Sequence, residues 1–169
     1  MRRALVLTLA LLALTLSGCL VSESPLITSE SAVYPLANQM NVERLRPNGD
    51  GWEHNEDNSA HRSGAAYFLV SESGEEIEFM LYRIAEKVYI AQTKDDQGHY
   101  MYGFLVFEGR MIYEYTPDCS DFRETDLSRY GFVKKDGDDC TVTSISGLGN
   151  AYLAYLKSGA KPSGAYALK

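Results

Sequence analysis

The chain has 169 residues, a usual size for one domain, and 45% of them are hydrophobic, enough to build a core. Lys and Arg number 16 against 23 Asp and Glu, a net charge of −7, which argues against nucleic acid and against direct adsorption to anionic lipid.

Residues 1–19 organise the reading. Arg2 and Arg3 start the segment, 4–16 are apolar except for Thr8 and Thr15, and Ser17, Gly18 and Cys19 follow. A basic start, a short apolar run and small residues before a cut form an export signal. The run is shorter than the roughly 20 residues of a spanning helix. Its ending, Leu16-Ser17-Gly18-Cys19, resembles the lipobox of bacterial lipoproteins. That resemblance is confined to these 19 residues. It implies a signal peptide over 1–18, cleavage before Cys19, and acylation of the thiol and the new amino group by fatty chains such as palmitate. One acyl chain holds a membrane marginally and two or more hold it stably; the family's three imply a permanent anchor. Leu20, not Asp, follows Cys19, which by the same analogy favours the outer membrane, on its periplasmic side. The leader takes two Arg and no acid, leaving 14 basic against 23 acidic residues, a charge of −9.

Residues 19–31 are rich in Ser and Glu and read as an acylated cysteine with a flexible tether. Residues 32–169 read as a single β-rich domain. Within it, 41–46 alternates polar and apolar residues as a half-buried strand does, and Pro47-Asn48-Gly49-Asp50-Gly51 is a dense turn signal. The polar stretch 52–61, from Trp52 to His61, reads as a loop. From Gly64 the character changes: 65–70, 76–84, 88–93, 100–107 and 111–115 are strand candidates. Short polar turns at 71–74, 85–86, 94–98 and 108–109 separate them. Strands adjacent in sequence and joined by short turns make an antiparallel meander.

Pro117-Asp118-Cys119 ends the meander. Residues 120–130 lack strand alternation and suit a helical turn or two; 132–135 is a short strand, 136–139 a turn, and 140–145 a β-branched strand. A helix is expected over 146–157, capped by Ser146, with Leu148, Tyr152, Tyr155 and Leu156 on one apolar stripe and Gly159 and Pro162 stopping it. The last segment, 165–168, either docks as an edge strand or stays loose. With Cys19 used by the anchor, Cys119 and Cys140 form an even pair, expected to be bridged in an oxidising compartment. That bridge closes a loop of about 20 residues, worth ~3 kcal/mol on the chain-entropy model. The fold expected is mainly β (α+β): an antiparallel meander, open or curled into a half-barrel or small barrel, with one C-terminal helix packed on it.

Along 100–107, Tyr100, Tyr102, Phe104 and Val106 face one way, and Met101, Leu105 and Phe107 the other. A sheet apolar on both sides must be covered on both. The helix covers one side and curling buries the other, which leaves room for a ligand cavity with Tyr100, Tyr102, Phe104 and Phe107 as its candidate lining. Simple packing is the competing use of the same aromatic residues.

His54 and His61, with Glu53, Glu56 and Asp57 around them, match no metal-ligand register. The Gly- and Asp-rich turns lack the alternate acids and closing Glu of a calcium loop. Residues 144–149 miss the glycine offsets of a nucleophile elbow, and 147–150 lack the third Gly of a dinucleotide fingerprint. No catalytic set, metal or cofactor follows. The leading expectation is therefore a non-enzymatic envelope lipoprotein, held to the membrane through Cys19, that binds an envelope protein or a small apolar ligand. The alternative from another class is a small periplasmic hydrolase using carboxylates of 52–61. An inhibitor of lysozymes is a third, by analogy alone. In a bacterial host fed an alkyne analogue of palmitate, Cys19→Ser is expected to abolish acyl labelling; labelling at the parental level would remove the anchor.

Overall fold

A computed structural model describes residues 19–135 and 139–169. The leader, and all but the last residue of the turn expected at 136–139, lie outside the described residues. The strands are β1 (Leu20–Ser22), β2 (Gln39–Asn48), β3 (Gly51–Ser63), β4 (Ala66–Ser71), β5 (Glu76–Ala85), β6 (Val88–Lys94), β7 (Tyr100–Glu108) and β8 (Met111–Tyr115). After a 3₁₀ turn at Cys119–Asp121 come α1 (Glu124–Tyr130), β9 (Phe132–Lys134), β10 (Cys140–Val142), α2 (Ile145–Lys157) and β11 (Gly164–Leu168).

The meander from β2 to β8 is present, and it closes on itself. β11 pairs antiparallel with β8 on one side and β2 on the other, and β6 pairs with β7 in line, so β2 to β8 and β11 form an eight-stranded antiparallel barrel. The expected edge strand 165–168 is thus an interior strand with a ladder on each side. The smaller strands β1, β10 and β9 extend the sheet from the lower part of β7.

Closure explains the two-faced apolar pattern. Leu81, Leu105 and Ile112 point inward with Tyr67. On the outer face, Val88, Ile90, Tyr102 and Phe104 pack under Leu148, Ala151 and Tyr152 of α2, together with Leu127 and Tyr130 of α1. Phe104 is fully buried, stacked on Tyr115 at 4.7 Å and against Tyr152 at 4.5 Å. The Tyr152 hydroxyl donates to the Tyr102 carbonyl at 2.8 Å, which settles its one polar atom. The disulfide Cys119–Cys140 ties the 3₁₀ turn to β10, with Cα atoms 5.4 Å apart.

Three sequence expectations are corrected. The stretch 52–61 is not a loop but most of β3, the longest strand. It reads as polar because its outer face is solvated and charged pairs with β2 hold it: Arg46 with Glu53, Arg44 with Glu56, and Glu43 with His54. The two-residue turn Gly49-Asp50, with Gly49 at φ 60, sets the register from Asn48 back to Leu45, and a bulge between Arg44 and Leu45 shifts it by one residue beyond. Residues 19–31 are not a tether. Leu20 and Ile27 are each 1% exposed. The buried Gln92 side chain pins the segment, accepting from the Leu26 and Ile27 amides at 2.8 Å each and donating to the Ile27 carbonyl at 3.0 Å. A composition count sees Ser and Glu; it does not see that Leu20 and Ile27 fill holes in the outer core. Finally, α2 starts earlier than expected, and Ser144, not Ser146, caps it by accepting from the Gly147 amide at 3.1 Å.

Gly147 sits where that first turn crosses the Tyr130 carbonyl; a Cβ there would overlap the carbonyl oxygen, with backbone on both sides of the clash. Gly147→Ala is expected to destabilise by roughly 3 kcal/mol. Gly149→Ala meets only the Ile84 side chain, at 3.0 Å, and should cost less. Urea denaturation of the two variants checks the order.

Candidate functional site

Small residues at inward positions leave the barrel hollow. Ala60, Ala91 and Gly164 face the interior, and Gly103 stands opposite Ala91 in the β6–β7 ladder. The result is a cavity of about 660 Å³, within the range of small-ligand sites and of what eight strands can enclose. One wall is apolar, from Leu69 on β4, Ile77 and Phe79 on β5, Ala91 on β6, and Met101 and Leu105 on β7. The opposite wall, from β2, β8 and β11, carries Arg44, Glu114 and Tyr166.

The two ends of the barrel differ. One is strapped by 33–36: the Val33 amide donates to the Leu81 carbonyl at 2.8 Å, and Tyr67 Oη both accepts from the Leu36 amide and donates to its carbonyl. Leu36 forms the cavity floor there. At the other end the turns 72–75 and 95–99 surround the mouth, which is bordered by Glu75, Glu76, Glu78, Asp95 and Asp96 against Lys94. Ile77 is exposed in that mouth.

The barrel also has a gap in its side. β8 pairs with β7 from Phe104 onward, and β1 pairs with Tyr100 and Met101. Between these ladders Tyr102 and Gly103 have no strand partner on that side. A hollow of about 270 Å³ occupies the gap, bounded by Cys19, Leu20, Thr116, Pro117 and Asp118, and it shares Ala91, Thr93, Met101, Leu105 and Glu114 with the main cavity. Cys19 therefore flanks a side window into the barrel. Its amide donates to Asp139 Oδ1 at 2.7 Å. Burial, then Asp139, Asp118 and Asp95, push its thiol pKa up.

The polar wall is a charged group in apolar surroundings. Arg44 Nη1 lies 3.4 Å from Glu56 Oε1. Burial works to lower the Arg44 pKa, but Tyr166, Glu114 and Glu56 outweigh it, so the guanidinium stays charged. Burial, then the Glu114 charge, lifts the Tyr166 phenol far above its ordinary value, so it remains a neutral hydroxyl. Burial raises Glu114 above the usual carboxylate range, with Arg44 opposing. Among the described residues the Glu114 carboxylate has neither a hydrogen bond nor an ion pair; its Oε2 lies beside Gly164, where a Cβ would come within 2.9 Å.

The expected lining residues sit elsewhere. Tyr100 carries Lys94 over its ring at 5.6 Å. Tyr102 is 5% exposed, with its hydroxyl 2.6 Å from Ser22 Oγ. Tyr102 and Phe104 belong to the outer core and touch only the side window; Phe107 is on the inner face but packs on Tyr89 at 4.7 Å, away from the void. The main cavity takes Met101 and Leu105 from this strand instead. Large aromatic side chains fill space; the void opens where inward residues are small, a signal carried by Ala60, Ala91, Gly103 and Gly164. The polar residues Arg44, Glu114 and Tyr166 were missed because none stands out by spacing and two of their strands become neighbours only on closure.

The histidines do not converge. His54 Nδ1 lies 2.9 Å from Glu43 Oε1, with Asp57 close by and Lys169 paired to Asp57, all on the outer face of β2 and β3. His61 stacks on Phe68 at 5.3 Å. No helix among the described residues is long and apolar enough to cross a membrane. No protein-family model, curated protein or solved structure matches this chain.

The raised Glu114 pKa has a stability consequence. Its neutral form is favoured in the folded state, so the stability linked to it is present below the ordinary glutamate pKa and lost as pH rises through the folded value. Glu114→Gln removes that loss. The variant is expected to melt at the parental temperature at about pH 4 and above it at about pH 8. Thermal unfolding at both pH values checks this; a variant less stable at the higher pH would contradict the sign.

Proposed function

We propose that this chain is a lipid-anchored protein of the bacterial envelope that binds a small, mostly apolar molecule inside its barrel. The observation that carries the reading is the cavity of about 660 Å³, walled on one side by Leu69, Ile77, Phe79, Met101 and Leu105, with a window at Cys19. Apolar walls with a few placed polar groups are what small-molecule sites have in common. The lipobox-like leader supplies the location, and the packed segment after Cys19 supplies the orientation. Lipid on Cys19 would leave the protein next to the window, so that an apolar molecule passing from bilayer to cavity crosses little water. The work proposed is binding and carriage at the membrane face, outer membrane by the Leu20 analogy, with no chemical step assigned.

Ala91 offers the test, because it borders both the cavity and the window and faces Gly103 across the ladder. Residues 19–169, which hold every element of the barrel and its cover, are expected to bind the neutral dye Nile red. Ala91→Phe should weaken that binding by on the order of tenfold, the loss of a filled apolar site, with the unfolding transition retained. Unchanged dye binding in a folded Ala91→Phe variant would sink the cavity as a binding site.

A further inference from the structure

Resting on that cavity reading, the polar wall identifies the chemistry of the ligand. Among the described residues the Glu114 carboxylate lines the lumen with no hydrogen bond and no ion pair, while Arg44 is paired with Glu56 and the Tyr166 hydroxyl is neutral. Gly164 gives the Glu114 carboxylate a place against β11 without offering it a donor side chain. A carboxylate in that setting is stabilised by a charged hydrogen-bond donor and by little else. The mouth repeats the sign, with Glu75, Glu76, Asp95 and Asp96 set against Lys94. An anionic amphiphile entering there meets carboxylates at the rim and a further one inside. A cationic one is drawn by both.

We propose that the cavity takes an apolar molecule bearing a basic amine, and that Glu114 binds the amine while the wall formed by Leu69, Phe79, Met101 and Leu105 holds the apolar body.

Isothermal titration of residues 19–169 at neutral pH with decylamine, decanol and decanoate, below their micellar range, separates the possibilities. Decylamine is expected to bind at least roughly tenfold tighter than decanol, as a charge-assisted hydrogen bond implies, and decanoate weakest. Glu114→Gln, with its unfolding transition retained, should bring decylamine down to the decanol level. The ranking in the parent protein does not depend on how the variant folds. Equal binding of all three ligands, tightest binding of decanoate, or an amine preference that survives in Glu114→Gln would overturn the assignment while the cavity reading stands. Failure of all three ligands and of Nile red would overturn both.

Discussion

The barrel depends on the pairing of β11 with two partners. Its residues pair with β8 from Met111 to Glu114 and with β2 from Val42 to Leu45. Without them β2 and β8 would each present an open edge, with unpaired backbone donors and acceptors. The same strand builds the polar wall. Gly164 stands beside Glu114, and Tyr166 lies between Ile112 and Arg44, so closure and site form together. Bringing β11 back is a long-range step, because residues 116–163 separate it from β8. The chain takes that step as a layered cover, with the disulfide fixing its first turn to β10 and α2 laid on β7.

The division of labour between the two faces of β5, β6 and β7 follows from residue size. Outward positions hold Tyr82, Ile90, Tyr102 and Phe104, which interlock with Tyr152 and Tyr155 of α2. Inward positions hold Ala91 and Gly103 between larger neighbours. A close-packed outer layer tolerates no missing methylene, so rigidity resides there. The inner layer can be hollow because the outer layer already supplies much of the burial that folding requires. A protein with a single core could not leave about 660 Å³ unfilled at its centre so readily.

The meander was legible because its strands alternate or are β-branched and its turns are short and polar. β4 to β8 fall within a residue or two of where pattern alone puts them, and so do Cys119 and Cys140 as a bridged pair. β3 was illegible for a physical reason: Glu53, His54, Glu56 and Asp57 bury little apolar surface, and their strand is held by ion pairs and by its neighbours' ladders. β11 was illegible as a closing strand because Gly164-Ala165-Tyr166-Ala167 shows composition, not partners. Of the strand 100–107, the main cavity takes Met101 and Leu105, not the aromatic lining expected of it. Tyr102 and Phe104 attract attention by size, yet size is what makes them packing residues; volume is recorded by what is absent, at Ala91 and Gly103. Barrel closure, a long-range event, creates the Arg44, Glu114 and Tyr166 wall.

The corrected tether changes what an anchor at Cys19 would do. A flexible linker lets a domain tumble below the membrane, whereas Leu20 is buried one residue after Cys19 and Gln92 holds Leu26 and Ile27. The Cys19 amide donates to Asp139, and an N-acylated cysteine keeps that one N–H, so the contact survives the modification that the leader implies. Fatty chains on this residue would emerge beside the window, and the strapped end at 33–36 would point elsewhere. Orientation is then set by covalent attachment to a rigid point, with no need for the acidic surface to adsorb. With the protein anchored in that way, the negative charge around the mouth would keep anionic headgroups from blocking it.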